Sequence, residues 1–157
     1  MPAHVWTASA KDADAAAALL IEFRDWWGYD KPADEVMRGA VETLVRDPAT
    51  DYLLGAPEPG APPCGVCQLR YRLSVWTGGD DCWLEDLYVR DDARRSGVGR
   101  ALVEAGVERA RARGCRRIEL DVNEQNTAAI AFYGSVGFNI EPKPPGKTLF
   151  ISRRLER

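Results

Sequence analysis

The chain has 157 residues, 45% of them apolar and 29% charged, with a net charge of −3 at neutral pH. That length and composition suit a single soluble domain, residues 1–157, large enough for a real core. The acidic balance argues against nucleic acid or a membrane surface as partner. No apolar run approaches the roughly 20 residues of a membrane span. The acids Asp12, Asp14, Glu22 and Asp25 interrupt the N-terminal alanine–leucine run, unlike a signal peptide. A cytoplasmic protein is the expectation.

Four cysteines and one histidine bound the chemistry further. Cys64 and Cys67 form C-x-x-C. Positions three apart on a strand point to opposite faces, so the pair reads as strand and core residues in a reducing compartment, not as a zinc or redox site. No metal is expected. His4 stands alone near the start, which removes Ser-His-Asp and Cys-His catalysis unless His4 itself reaches a site.

In chain order, His4 to Ala8 reads as an opening strand. Ala16, Leu19, Leu20, Phe23, Trp26 and Trp27 follow the three-and-four spacing of a helix from Ala13 to Trp27. Pro32 suits the first turn of a second helix that runs to Val45. Tyr52 to Gly55 is a short apolar strand, and the prolines between Pro57 and Pro63 mark a connecting loop. Gly65 to Val75 alternates as a longer strand, Thr77 to Asp80 turns, and Cys82 to Val89 is dense enough in apolar residues to lie inside a sheet. Val98 to Arg113 is a helix stopped by Gly114, and Arg116 to Val122 is a strand. The arginines between Arg109 and Arg117 suit the C-terminus of that helix, as a solvated face. Asn126 to Val136 is a helix stopped by Gly137, and Phe138 to Ile140 and Thr148 to Ser152 are final strands. This order predicts an α/β fold, a mixed sheet with helices on both faces.

The stretch from Glu85 to Arg100 carries the chemistry. A strand bearing Glu85 and Asp86 leads through an arginine loop to Gly97 and Gly99 and then a helix. Such a helix start presents unpaired backbone N–H groups and the positive end of the macrodipole, which together bind anions. A Walker loop would need Gly-Lys-Ser/Thr, but Gly99 is followed by Arg100 and Ala101. A dinucleotide fingerprint would need a third glycine where Leu102 stands, directly after the strand. Asp121, about twenty residues on, is the only feature that favours it.

The pattern Arg94-Arg95-Ser96-Gly97-Val98-Gly99 resembles the Q/R-x-x-G-x-G/A motif of the GNAT superfamily of N-acetyltransferases. Asn126, Ala129, Phe132, Tyr133, Gly137 and Phe138 resemble its second cofactor motif. The strand Leu84 to Val89 resembles that of the spermidine/spermine and thialysine acetyltransferase branch. The resemblance covers nearly the whole chain. It implies a mixed, mostly antiparallel sheet and acetyl-CoA as co-substrate. It also implies transfer of the acetyl group to a primary amine of a small molecule, directly within a ternary complex. A peptide or protein amine is the alternative acceptor, and a non-catalytic acyl-CoA sensor the alternative function.

By the same resemblance, Arg94, Arg95, Ser96, Gly97, Val98, Gly99 and Arg100 wrap the pyrophosphate. Leu87, Tyr88 and Val89 pair with the pantetheine amides, and Asn126 contacts the pantetheine or substrate side. Glu85 is implied as the base that deprotonates the amine, with Asp86 as substrate ligand or as the base itself. Tyr133 is implied as the acid for the leaving thiolate. Family strands often carry a bulge at this point, which would disturb the facing of Glu85 and Asp86. Trp26, Trp27 and Tyr29 would wall the acceptor pocket, and Asp80 and Asp81 would suit a cationic amine. Family members are often homodimers; the sequence marks no interface.

Overall fold

The computed structural model describes residues 2–141 and 145–155. The chain divides into two compact units, Met1–Asp121 and Val122–Arg157. The first holds a five-stranded sheet in sequential order: β1 (His4–Thr7), β2 (Thr50–Ala56), β3 (Gly65–Ser74), β4 (Gly79–Val89) and β5 (Ile118–Glu119). The first four strands are antiparallel, and β5 pairs parallel to β4.

Helices cover both faces of this sheet. On one face, α1 (Ala13–Trp26) and α2 (Asp34–Leu44) enclose a core of Ala16, Leu19, Leu20 and Val41 with Tyr52, Leu54, Val66 and Tyr88 of the strands. On the other lies α3 (Val98–Ala112), with Val98, Leu102 and Val103 fully buried. Two strand glycines let α3 sit close. A Cβ on Gly55 would stand 2.8 Å from Val98 Cγ1, and one on Gly65 would stand 3.0 Å from both Val98 Cγ1 and Leu102 Cδ1. The first turn of α3 is thereby pressed onto the ends of β2 and β3. At its other end, Gly114 adopts φ 82°. Its N–H donates to Arg111 O and that of Cys115 to Ala110 O, closing the helix as a Schellman turn.

The second unit contains α4 (Thr127–Ser135). Asn126 caps it, its side chain accepting from Ala129 N at 3.2 Å.

Several element expectations are corrected. The second helix begins at Asp34 with Ala33 as its N-cap, so Pro32 precedes it and is not in its first turn. The strand predicted over 116–122 is reduced to Ile118–Glu119, because only Cys82 and Trp83 of β4 find partners there. β4 starts at Gly79, inside the predicted turn, since Gly79 to Asp81 continue the ladder with Ser74 to Arg72. Residues 138–140 and 148–152 form no strand, and Leu149, Phe150 and Ile151 are exposed. Their β-forming composition finds no ladder, and a strand needs a partner as well as a propensity. Part of the turn expected between them, 142–144, lies outside the described residues.

Candidate active site

The ladder between β3 and β4 slips by one residue in the middle. Gln68 faces Asp86, and Leu69 faces Leu84, so Glu85 is left over. This β-bulge resets the facing of β4. Leu84 lies opposite Leu69, whose Cδ atoms reach Gly106 of α3, so Leu84 faces α3. Tyr88 stacks on Phe23 of α1 with ring centroids 5.2 Å apart, so Tyr88 faces α1. Counting back by two, Asp86 shares the Tyr88 face. Glu85 is exposed at the bulge, while Asp86 is part-buried.

The two carboxylates are therefore in different surroundings despite adjacent positions. Burial, reinforced by the charges of Glu85 and Asp121, pushes the Asp86 carboxyl up to about 6. That value leaves Asp86 mostly ionised at neutral pH yet able to hold a proton, as a general base requires.

Beyond the bulge, among the described residues, one edge of β4 has no strand partner. β5 covers only Cys82 and Trp83. Arg90 N donates to Cys64 O at 3.0 Å, so residues an even number away use their backbone groups toward β3. Tyr88 is thus engaged in the ladder, whereas Leu87 turns its N–H and C=O, and Val89 its N–H, to the other edge, Val89 O accepting from Arg94 Nε. An extended molecule carrying amides fits there as an added strand does.

This edge runs into the anion loop. A 3-10 turn at Asp91–Ala93 leads to Arg95 at φ 66° and Gly97 at φ 88°, the N-cap of α3. A left-handed arginine is unusual and is held here by local bonds. Ser96 N donates to Ala93 O at 3.2 Å, and Ser96 Oγ also donates to Ala93 O. The Ser96 N–H is thus taken up within the loop, while the N–H groups of the first turn of α3 have no intrahelical acceptor. A diphosphate fits this cradle. Arg94 is spent largely on bracing it: Nε donates to Val89 O at 3.1 Å, and Nη1 pairs with Asp91 at 2.8 Å. Its guanidinium also lies over Trp26, 5.4 Å from the ring centre.

Trp26 is thus brought to the arginine loop. Trp27 packs edge-on to it at 4.8 Å, and both are about half exposed, at 45% and 46%. Tyr29 follows on the surface at 63% exposure. Arg90 locks α1 to the end of β4 by a two-toothed pair with Glu22, at 2.9 and 2.8 Å. Asp80 and Asp81 are committed elsewhere. Asp81 is buried against Arg117 at 2.8 Å, which holds its carboxyl below the usual range, and Asp80 faces Arg113 at 3.9 Å. The expected role of this pair toward a cationic amine is replaced by ion pairing within the fold.

Sequence reasoning missed two residues. Tyr52 faces Gln68 across β2 and β3, and Gln68 faces Asp86 across β3 and β4. They form one row on the face toward α1. The signal was available: Gln68 is the lone polar side chain in the run Val66 to Leu69.

In the second unit, Tyr133 packs edge-on against Phe132 and Phe138, at 5.3 and 5.5 Å.

The family model for the acetyltransferase (GNAT) family matches residues 14–138, which include both units' motifs. The chain belongs to the GNAT acetyltransferase family. It is similar to the thialysine N-epsilon-acetyltransferase of Sus scrofa, 31% identical over 147 residues covering 86% of this chain and 84% of that one. A shorter stretch of 60 residues is 42% identical to the ribosomal protein bS18 alanine N-acetyltransferase of Escherichia coli K12, covering 38% of this chain and 40% of that one. Among solved structures, one described as a probable acetyltransferase superposes with a TM-score of 0.82 at 26% identity, over 96% of this chain and 99% of that one. This GNAT chain is an N-acetyltransferase acting on an amine, and the family implies acetyl-CoA as the acyl donor. None of its described helices is long and apolar enough to cross a membrane.

Proposed function

We propose that this enzyme acetylates a primary amine of a small molecule by direct transfer from acetyl-CoA in a ternary complex. The observation that carries the reading is the bulge at Glu85. It turns Asp86 to the α1 face beside an open strand edge that leads into the anion loop. Acetyl-CoA supplies an activated thioester; the chain's own groups do the rest. The cradle at Gly97 to Arg100 holds the diphosphate, and Leu87 and Val89 align the amide arm.

The base is Asp86. A free alkylammonium has a pKa of about 10.4, so a carboxylate must draw off its proton before attack. The geometry favours Asp86 over Glu85 because Asp86 is turned inward and Glu85 is left outside by the bulge. Glu85 raises the affinity of Asp86 for that proton through its charge. Tyr133, matched to the family motif, supplies a proton to the leaving thiolate. A small acceptor is supported by the similarity that spans most of the chain, to an enzyme named for thialysine. Similarity to the enzyme named for a ribosomal protein covers a shorter stretch. The four free cysteines suit the reducing cytoplasm.

The test is release of CoA from acetyl-CoA with a panel of primary amines, including thialysine, polyamines and peptides with free N-termini. Turnover with small amines and none with peptides is expected; turnover with peptides alone would overturn the acceptor class. Binding of acetyl-CoA without any turnover would favour a sensor. Tyr133→Phe is expected to lower kcat while leaving the acceptor KM unchanged, and an unchanged kcat would remove the acid role.

A further inference from the structure

The row Tyr52–Gln68–Asp86 contains two polar side chains that the steps above do not use. Tyr52 is 1% exposed and Gln68 4% exposed. Neither the phenol hydroxyl nor the carboxamide makes a hydrogen bond with any described residue, and neither is among those whose partners lie outside them. Buried polar groups are nearly always paired, because an unpaired one loses its water without compensation. Yet no side-chain nitrogen or oxygen of the buried and half-buried described residues is both sealed from solvent and unpartnered. The unpaired polar atoms of Tyr52 and Gln68 therefore keep a trace of solvent exposure, while the rest of each side chain is packed.

The chain has put three hydrogen-bonding groups in line across β2, β3 and β4. Neighbouring strands lie about 5 Å apart, so Gln68 stands one strand from Asp86 and Tyr52 two. The charges facing this row are negative on the β4 side, from Asp86 with Glu85 and Asp121, while Arg70 of β3 acts on Tyr52. An ammonium is drawn to the Asp86 end. The neutral groups then meet whatever the acceptor carries next to its nitrogen.

We propose that Gln68 and Tyr52 contact the acceptor and make the enzyme select amines that bear a neutral hydrogen-bonding group, a hydroxyl or an amide, on a carbon close to the nitrogen. A purely alkyl neighbour leaves both buried groups without a partner and without water. A site built to hydrogen-bond a substrate group rejects the analogue lacking it far more strongly than an apolar pocket rejects an extra group. This deepens the proposed function and rests on it.

The experiment uses the full chain, acetyl-CoA and matched amine pairs. Ethanolamine against propylamine, and glycinamide against butylamine, differ chiefly in the hydrogen-bonding group. The wild type is expected to prefer the hydrogen-bonding member by about tenfold or more in kcat/KM. Gln68→Leu and Tyr52→Phe are each expected to shrink that ratio toward one, with the KM for acetyl-CoA unchanged. Tyr52→Phe removes only a hydroxyl that has no protein partner, so its thermal midpoint should stay at the wild-type value or above. That variant keeps the test valid if Gln68→Leu folds poorly. Turnover of both members of each pair without preference, or a preference that survives in Tyr52→Phe, overturns this proposal alone. No turnover of any amine across the whole panel overturns it together with the proposed function.

Discussion

At the level of the bulge, the sheet presents two opposite rows built from the same three strands. Leu53, Cys67 and Leu87 are paired across β2, β3 and β4, with Leu53 toward α3. One residue away, Tyr52, Gln68 and Asp86 are paired across the same strands on the face toward α1. The first row is apolar, and Leu53 and Cys67 are closed off beneath a helix held close by Gly55 and Gly65. The second is polar, and ends on the part-buried Asp86. The difference shows how a strand can serve stability and chemistry at once: alternation separates the two functions by a single residue. The bulge makes the arrangement possible on β4. It lets Leu84 and Leu87, three apart, both serve the α3 face, and so turns Asp86 to the other.

The sharpest way to break this contrast is to remove its one charge. Asp86→Asn keeps the shape and deletes the proposed base, and loss of a general base typically lowers turnover by about 10²- to 10⁴-fold. In the wild type, kcat/KM should fall as pH drops through about 6, where Asp86 takes up a proton. The variant should lack that limb. A pH–rate profile with the limb intact in Asp86→Asn would return the base role to Glu85. On the opposite face, Leu53→Ala should act on stability instead. Opening a cavity under α3 costs about 2–5 kcal/mol, read as a lower denaturation midpoint. The acceptor preference of the folded enzyme should not change; a changed preference would mean the two faces are coupled.

Asp86 also has a stability signature of opposite sign to that of a paired acid. Its folded pKa is raised, so the folded state binds more protons than the unfolded state between about 4 and 6. Stability therefore falls as pH rises through that window, by up to about 3 kcal/mol for a shift of roughly two units. Asp86→Asn removes the loss. The variant should be more stable than the wild type above pH 6 and equal to it below pH 4, in denaturant titrations at both values. Asp81 runs the other way. Its carboxyl is held low by Arg117, so its contribution is present at neutral pH and is lost as pH falls through the folded value.

Local pattern carried much of this molecule into view. The helices ending near Trp27, Arg113 and Val136 follow from apolar spacing and glycine stops, and the turn into α3 follows from its two glycines. What one sequence does not contain is register. The choice between Glu85 and Asp86 depends on which strand holds the extra residue, and that is fixed by pairing with Leu69 and Gln68 far along the chain. Tyr52 and Gln68 escaped for the same reason: they meet Asp86 only once three strands are aligned. The contact of Trp26 with Arg94 likewise depends on how α1 packs against the loop, which no local pattern encodes.

The last test concerns how the closed face positions the open one. Gly55 has no room for a methyl group, with Val98 Cγ1 at 2.8 Å and Leu102 Cγ at 3.2 Å from the place a Cβ would take. Val98 is the first residue of α3, so Gly55→Ala should lift the end of the helix that carries the anion cradle. Overpacking of this kind costs about 1–3 kcal/mol. Acetyl-CoA affinity should weaken, measured by calorimetry, because the N–H groups of the first turn move off the line of the open β4 edge. Adding Val98→Ala to the same protein returns the space, and both stability and affinity should recover beyond the sum of the single changes. If Gly55→Ala lowers stability but leaves acetyl-CoA affinity at the wild-type value, the close approach of α3 serves the core alone, and the cradle is set by the loop from Asp91 to Gly97.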